Sequence, residues 1–256
     1  MKLLLDGDMH LFSTMASVEQ EFCIYDEVWT RSCDLAEARE KYWEQLDELA
    51  ERFNATRDDV IHCFTDRSTF RKNICPDYKA NRRGQKKPIG YSKLKSELLE
   101  LPYSYMHDQV EADDLLGIFA TALRKRNEPY VIVSRDKDLR QIPGPWTWFD
   151  MEADFVDPAA AEQQFWKQAL IGDGTDGVKG CPGVGEKTAA RAIDEFDITD
   201  PMGCWEKVVS IYEKKGLDEA YALQQARLVR ILRAGEYDFN TKQVQLWNPA
   251  LTTISA

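Results

Sequence analysis

Nine carboxylates in this chain recur in a pattern that could hold metal ions: Asp6, Asp66, Glu111, Asp113, Asp114, Asp136, Asp138, Asp173 and Asp176. The densest part is Val110-Glu111-Ala112-Asp113-Asp114-Leu115-Leu116, followed about twenty residues on by Ser134-Arg135-Asp136-Lys137-Asp138. Acids gathered without histidine or cysteine would repel one another unless hard, oxygen-seeking cations lay among them. A pair of such cations about 4 Å apart can activate water on one side of a phosphodiester and stabilise the leaving oxygen on the other. The bland alternative for Glu111, Asp113 and Asp114 is capping, because acids at a helix N-terminus are stabilised by its dipole.

The elements that must position these acids can be read from periodicity. Leu116 to Lys125 is an amphipathic helix, and Tyr130-Val131-Ile132-Val133 is a buried strand that releases Asp136 and Asp138 at its carboxyl end, where open α/β sheets carry their sites. Leu3-Leu4-Leu5 is a second short strand, leaving through Asp6-Gly7-Asp8 into a helix over Met9 to Met15. Taken alone, Asp6-Gly7 would equally be an ordinary turn. Asp59 to Asp66 is a third strand ending in an acid, with His62 a core histidine inside it. Three strand ends bearing acids weaken the capping reading.

Phe22 to Trp29 alternates loosely, as an edge strand would. Leu35 to Phe53 places Leu35, Ala38, Tyr42, Leu46, Leu49 and Phe53 on one helical face that covers the core. Tyr91 to Leu101 is a helix closed by Pro102, Trp146 to Phe149 a strand, and Ala159 to Leu170 a helix opened by Asp157-Pro158.

Charge is uneven. The net charge is −11, yet the ten basic residues Arg67, Arg71, Lys72, Lys79, Arg82, Arg83, Lys86, Lys87, Lys93 and Lys95 face only Asp77 within their segment. Phe70 to Gly90 lacks apolar periodicity and is punctuated by Gly and Pro, so a mobile cationic loop is expected there, beside the acids. Such a distribution suits a polyanion drawn toward a cation-filled acidic pocket. Tyr78 in this loop offers a face on which a base could stack.

Ile171 to Ala190 carries Gly180, Gly183 and Gly185 ahead of a helix beginning at Lys187. Backbone N–H groups at such a turn bind phosphate. A Walker loop is excluded by Glu186 between Gly185 and Lys187, and a dinucleotide fingerprint by Thr188 where glycine is needed. A helix-hairpin-helix element that grips a DNA backbone without reading bases fits instead.

Other classes are excluded on simple grounds. No apolar run approaches 18 residues, so no membrane span is expected, and Met1 to Leu5 is too short for a signal peptide. The six cysteines show no Cys-x-x-Cys pairing and are expected as reduced thiols in a cytoplasmic protein. Three scattered histidines do not make a histidine metal centre.

The series Asp6-Gly7, Phe64-Thr65-Asp66, Tyr78-Lys79-Ala80-Asn81-Arg82, Glu111-Ala112-Asp113-Asp114, Asp136-Lys137-Asp138, Gly172-Asp173-Gly174-Thr175-Asp176 and Gly183-Val184-Gly185-Glu186-Lys187-Thr188-Ala189 resembles the structure-specific 5′ nuclease (flap endonuclease) superfamily, over roughly residues 1 to 235. Each motif alone is weak; their shared order is specific. Trp29 to Asp34, Lys86 to Tyr91 and the tail from Ala226 to Trp247 are similar to the 5′-to-3′ exonucleases of T-seven-type podophages.

The resemblance implies an α/β fold, a PIN-like, mostly parallel sheet flanked by helices, over residues 1–155 with a basic arch at 67–100. Residues 156–256 would form a helical DNA-binding region with a helix-three-turn-helix at 172–195. The nine carboxylates would hold two or more Mg2+ or Mn2+ ions, and Lys79 and Arg82 would approach the scissile phosphate. Arg71, Lys72, Tyr78, Arg83, Lys86, Lys87, Gly183, Gly185, Lys187 and Thr188 would bind DNA, the last four in a motif that in relatives also takes K+. Expected activity is 5′-to-3′ hydrolysis of duplex DNA at an end, nick, gap or flap, giving 5′-phosphorylated products, with RNA paired to DNA as a second substrate. The expected setting is phage DNA replication, recombination or host DNA degradation, by a monomer in the host cytoplasm. Gly84 and Pro88 depart from an ordered helical arch, and Asp8 has no general counterpart in the family. Two other classes stay open: a non-catalytic DNA-binding module, and a phosphohydrolase of small esters.

Overall fold

In the computed structural model, which describes residues 1–82 and 84–251, Leu3-Leu4-Leu5 lies fully buried in β1 (Lys2–Asp6), an inner strand of a six-stranded sheet. The other helices and strands follow in chain order: α1 (Gly7–Val18), β2 (Gln20–Tyr25), β3 (Val28–Ser32), α2 (Leu35–Arg52), β4 (Val60–Cys63), α3 (Arg71–Ile74), α4 (Tyr91–Leu98), β5 (Ser104–Tyr105), α5 (Ala112–Lys125), β6 (Tyr130–Val133), β7 (Gly144–Thr147) and β8 (Asp154–Val156). Then come α6 (Pro158–Ile171), α7 (Glu186–Ile193), α8 (Pro201–Glu213), α9 (Glu219–Val229), β9 (Tyr237–Asp238) and β10 (Gln243–Val244).

The sheet order is β5-β4-β1-β6-β7-β8, parallel except for β8. Alternation along a strand sends neighbours to opposite faces. Leu3 and Leu5 accordingly pack with Val131 and Val133 against α1, α2 and α4, while Leu4 and Ile132 pack with α5 on the other side. A third apolar cluster gathers Phe165, Trp166, Trp205, Tyr212 and Trp247 among α6, α8 and α9. Ile231, Leu232 and Tyr237 run back across α5, closing the second layer. Among the described residues, no helix is long and apolar enough to cross a membrane.

The mostly parallel sheet flanked by helices agrees with the sequence reading, and α2 buries Ala38, Tyr42, Leu46 and Leu49 as its periodicity implies. His62 is a core residue whose Nδ1 lies 2.9 Å from the Tyr42 hydroxyl. One strand departs from expectation. Residues 22–29 do not edge the main sheet but fall in the separate β2–β3 hairpin, with every residue of β2 exposed. Alternation alone cannot say which sheet a strand joins. Among the described residues of 70–90, α3 and a 3-10 turn over Ala80–Arg82 interrupt an otherwise irregular path.

Candidate active site

Register decides which residues meet. In the sheet, Asp6 pairs with Cys63 and Leu5 with Val133, so the residues just beyond β1, β4 and β6 emerge at one edge. Asp6 ends β1 and also caps α1, one carboxylate oxygen accepting from Met9 N at 3.0 Å. Its other oxygen accepts from Ser134 Oγ at 3.0 Å, so Ser134, one residue past β6, bridges two strand ends. Capping and site placement are therefore one arrangement. Asp136 begins a 3-10 turn over Lys137–Gln141 and accepts from Asp138 N at 2.9 Å, a turn that sets the two carboxylates side by side.

Asp113 stands in the first turn of α5, where its electrostatic neighbours are Asp136, Asp6, Lys79 and Glu111. Burial, then the charges of Asp136 and Asp6, pushes its carboxyl well above the usual range. Asp6 is raised to about 7 by burial, with Asp8 and Asp136 adding to the effect against hydrogen bonds from Met9 and Ser134. Asp138 is also raised to about 7, by burial and then by Asp136, Asp173 and Asp176. Asp173 and Asp176 come from the loop after α6, which is closed by Asp173 N to Val178 O at 2.9 Å and the return bond at 2.7 Å. A pocket of about 20 Å3, lined by Glu111, Asp113, Asp138, Asp173 and Asp176 together with Tyr78, has room for one water-sized occupant.

Basic residues of the 67–100 segment close this pocket from above. Lys79 donates to Glu111 at 2.5 Å and stands 3.4 Å from Asp176, while Arg82 bonds the other oxygen of Asp176. Burial alone would raise Glu111 and lower Lys79; each is carried the opposite way, Glu111 by Arg71 and Lys79, and Lys79 by Glu111 and Asp176. Behind them, Asp8 accepts from Thr65 N at 2.6 Å, the Tyr91 hydroxyl at 2.6 Å and Lys95 at 2.7 Å, tying α1 to α4 where the basic segment returns to the core.

Three expectations are corrected by these contacts. Tyr78 offers no stacking face: it is 3% exposed, and its one hydroxyl proton is shared between Glu111 at 3.0 Å and Asp176 at 2.8 Å. Arg71 is buried rather than turned to DNA, held by Glu111 (3.0 Å), Asp114 (2.7 and 2.8 Å) and the carbonyls of Leu228 and Arg230. Asp114 is the counter-ion of Arg71 and accepts from the N–H groups of Glu111 and Leu232, so it is not free to reach the pocket. Asp66, just past β4, accepts from Ser68 Oγ at 2.6 Å, and its own N–H bonds Val110 O at 3.5 Å, next to Glu111. Lys72, Lys86 and Lys87 are exposed, with Lys87 4.2 Å from the centre of the Tyr91 ring, and Arg83 lies outside the described residues.

The second half of the site is the hairpin after α6. Gly183 turns with φ +75°, and Gly183, Gly185, Lys187 and Thr188 are all exposed at the start of α7. Gly180, at φ +65°, packs so tightly that a Cβ there would lie 2.2 Å from the Ile171 carbonyl carbon. Lys215, missed in the sequence reading, reaches within 3.6 Å of the position a Gly183 Cβ would occupy. Sequence also missed Gln168, whose Nε2 donates to Asp138 at 2.6 Å; its only signal was a polar residue on the buried face of α6.

Among the described residues, no three acidic, histidine or cysteine side chains already stand around one point as a finished cage. The donor set nonetheless fits hard divalent cations: it is all oxygen, it is buried or half-buried, and the burial and then mutual repulsion that raise Asp6, Asp113 and Asp138 are what a cation would offset.

Comparison with known proteins places these features in context. Residues 3–166 match the model of the 5′-3′ exonuclease N-terminal resolvase-like domain. The chain is 30% identical to the exonuclease of Escherichia phage T7, over 96% of this chain and 93% of that protein. It is 29% identical to the exodeoxyribonuclease of Enterobacteria phage T3, over 96% and 92%. It is 30% identical to the flap endonuclease Xni of Vibrio campbellii, over 70% and 75%. Among solved structures, the zinc-bound 5′-exonuclease of phage T5 superposes with a TM-score of 0.65 at 18% identity, covering 89% of this chain and 88% of that one. A complex of the phage T5 flap endonuclease with DNA and metal ions gives 0.64 at 19% identity, with the same coverage.

Proposed function

The chain belongs to the 5′-3′ exonuclease family, and from that premise we infer that it is a metal-dependent nuclease hydrolysing phosphodiesters from the 5′ end of duplex DNA and at 5′ flaps. The observation that carries this reading is the meeting of Asp6, Asp113, Asp136 and Asp138, from three elements, beneath the cations Lys79 and Arg82.

Asp6, Asp113, Asp136, Asp138, Asp173 and Asp176 would hold two Mg2+ or Mn2+ ions. When bound, these would supply Lewis acidity at the phosphate and lower the pKa of a nearby water. Lys79 and Arg82, now on Glu111 and Asp176, would turn to the phosphate oxygens as charge develops there. Glu111 anchors Lys79 and Tyr78 at the base of the basic segment. Lys72, Lys86 and Lys87 would steer the strand, while the exposed amides at Gly183 and Gly185, with Lys187 and Thr188, would grip the duplex backbone. K+ is the further ion proposed at that hairpin. Substrates would be 5′ ends, nicks, gaps, flaps and RNA paired to DNA, the products 5′-phosphorylated. The setting proposed is phage replication, recombination or host DNA degradation, by a monomer in the host cytoplasm.

The test is incubation with 5′-labelled duplex and Mg2+. Short labelled products are expected, abolished by chelation and reduced at least about 100-fold in Asp136→Asn. Binding without cleavage at any cation concentration would instead mark a DNA-binding module, and turnover of small phosphate esters alone a different phosphohydrolase.

A further inference from the structure

Behind the carboxylates runs a chain of amides that the nuclease reading does not use. Gln141, 1% exposed at the end of the 3-10 turn, donates through Nε2 to Val229 O at 2.8 Å, and its Oε1 accepts from Ile231 N at 3.3 Å. A backbone carbonyl and a backbone N–H therefore dictate which way this amide faces. The same Nε2 donates to Gln168 Oε1 at 2.5 Å, so Gln168 must present its oxygen backward and its NH2 forward. That NH2 donates to Asp138 Oδ1 at 2.6 Å. Polarity is thus transmitted without ambiguity from the main chain after α9 to one oxygen of one acid in the pocket.

Resting on the nuclease reading, we propose that Gln168, oriented by Gln141, is a positioning residue that engages Oδ1 of Asp138 and so leaves Oδ2 as the oxygen offered to a divalent cation shared with Asp173 and Asp176. Two features of the geometry support this. Asp138 belongs to a short turn, whereas Gln168 sits on the long helix α6 and is buried. Asp138 also shares its field with Asp136, Asp173 and Asp176, so a carboxylate free to rotate would turn away from them. Hydrogen bonds to ligands from behind generally change metal affinity by about 10 to 100-fold. The relay further couples the site to the 229–231 segment, the chain that returns from the helical region to α5.

The experiment compares wild type with Gln168→Met and Gln141→Met, similar in length and lacking the amide. Ca2+ binding is followed by calorimetry, Mn2+ binding by electron paramagnetic resonance, and thermal melting is recorded without cations. Gln168→Met is expected to weaken cation binding about tenfold or more. Gln141→Met is expected to weaken it less, because Gln168 remains but is free to flip. With saturating Mg2+, kcat on duplex DNA should recover in both while the Mg2+ requirement stays raised. Should Gln168→Met fail to fold, Gln141→Met carries the test by the same criteria. Cation affinity within twofold of wild type in the folded variants, whatever their melting temperature, would overturn the proposal. If wild type itself neither bound cations nor cut DNA, the nuclease reading, not the relay, would be what failed.

Discussion

Replacing Arg71 with methionine separates two roles for a residue that the family resemblance assigns to DNA. Its guanidinium makes five hydrogen bonds, to Glu111, to both oxygens of Asp114, and to the carbonyls of Leu228 and Arg230. Glu111 keeps Lys79 and Tyr78 after the change, but Asp114, with no exposed surface, keeps only two backbone N–H groups. Removing one partner of a buried ion pair costs about 3 to 5 kcal/mol. For a chain of this size, that corresponds to a fall in Tm of roughly 10 °C. Urea unfolding of wild type, Arg71→Met, Asp114→Leu and the double variant gives the coupling directly. The double variant should be more stable than Arg71→Met, because no charge is then left buried and unpaired. Duplex affinity, measured against salt on the folded fraction, should keep its slope. A lost phosphate contact would lower that slope by about 0.9. A stability loss below about 1 kcal/mol together with such a drop in slope would refute the burial argument.

Three further outcomes can be checked. His10 and His62 are held at about 3 and about 4, against an ordinary 6.5, by burial, so their contribution to stability is complete above pH 6.5 and is lost as pH falls below it. At pH 5 each should cost about 2 kcal/mol, and their ring proton resonances should stay flat to that pH; a midpoint near 6.5 for either would contradict it. Gly180→Ala should destabilise by about 2 to 4 kcal/mol in urea, given its positive φ and the Ile171 backbone 2.2 Å from the new carbon, whereas Gly185→Ala, with open space around it, should not. Asp8→Asn should cost about 2 kcal/mol by weakening the tie to Lys95, Tyr91 and Thr65; unchanged unfolding would show that this clasp is dispensable.

What the amino-acid order settled was the placement of acids at strand ends. Apolar runs of three to five residues can only be buried strands here, and parallel strands joined by helices must deliver their carboxyl ends to one edge, so Asp6, Asp136 and Asp138 could be placed there before any coordinates, with Asp113 entering from the first turn of α5. Glycine spacing likewise marked the hairpin before α7. Arg71, Tyr78, Asp114 and Gln168 could not be read this way. A long polar side chain in a charged segment looks solvated until its partners are known, and those partners lie up to 159 residues away. Burial of such a group depends on whether distant carboxylates and carbonyls can satisfy it. The packing of the 228–232 segment and the 173–178 loop against α5 supplied them for Arg71, Tyr78 and Asp114, and the 3-10 turn at 137–141 supplied them for Gln168.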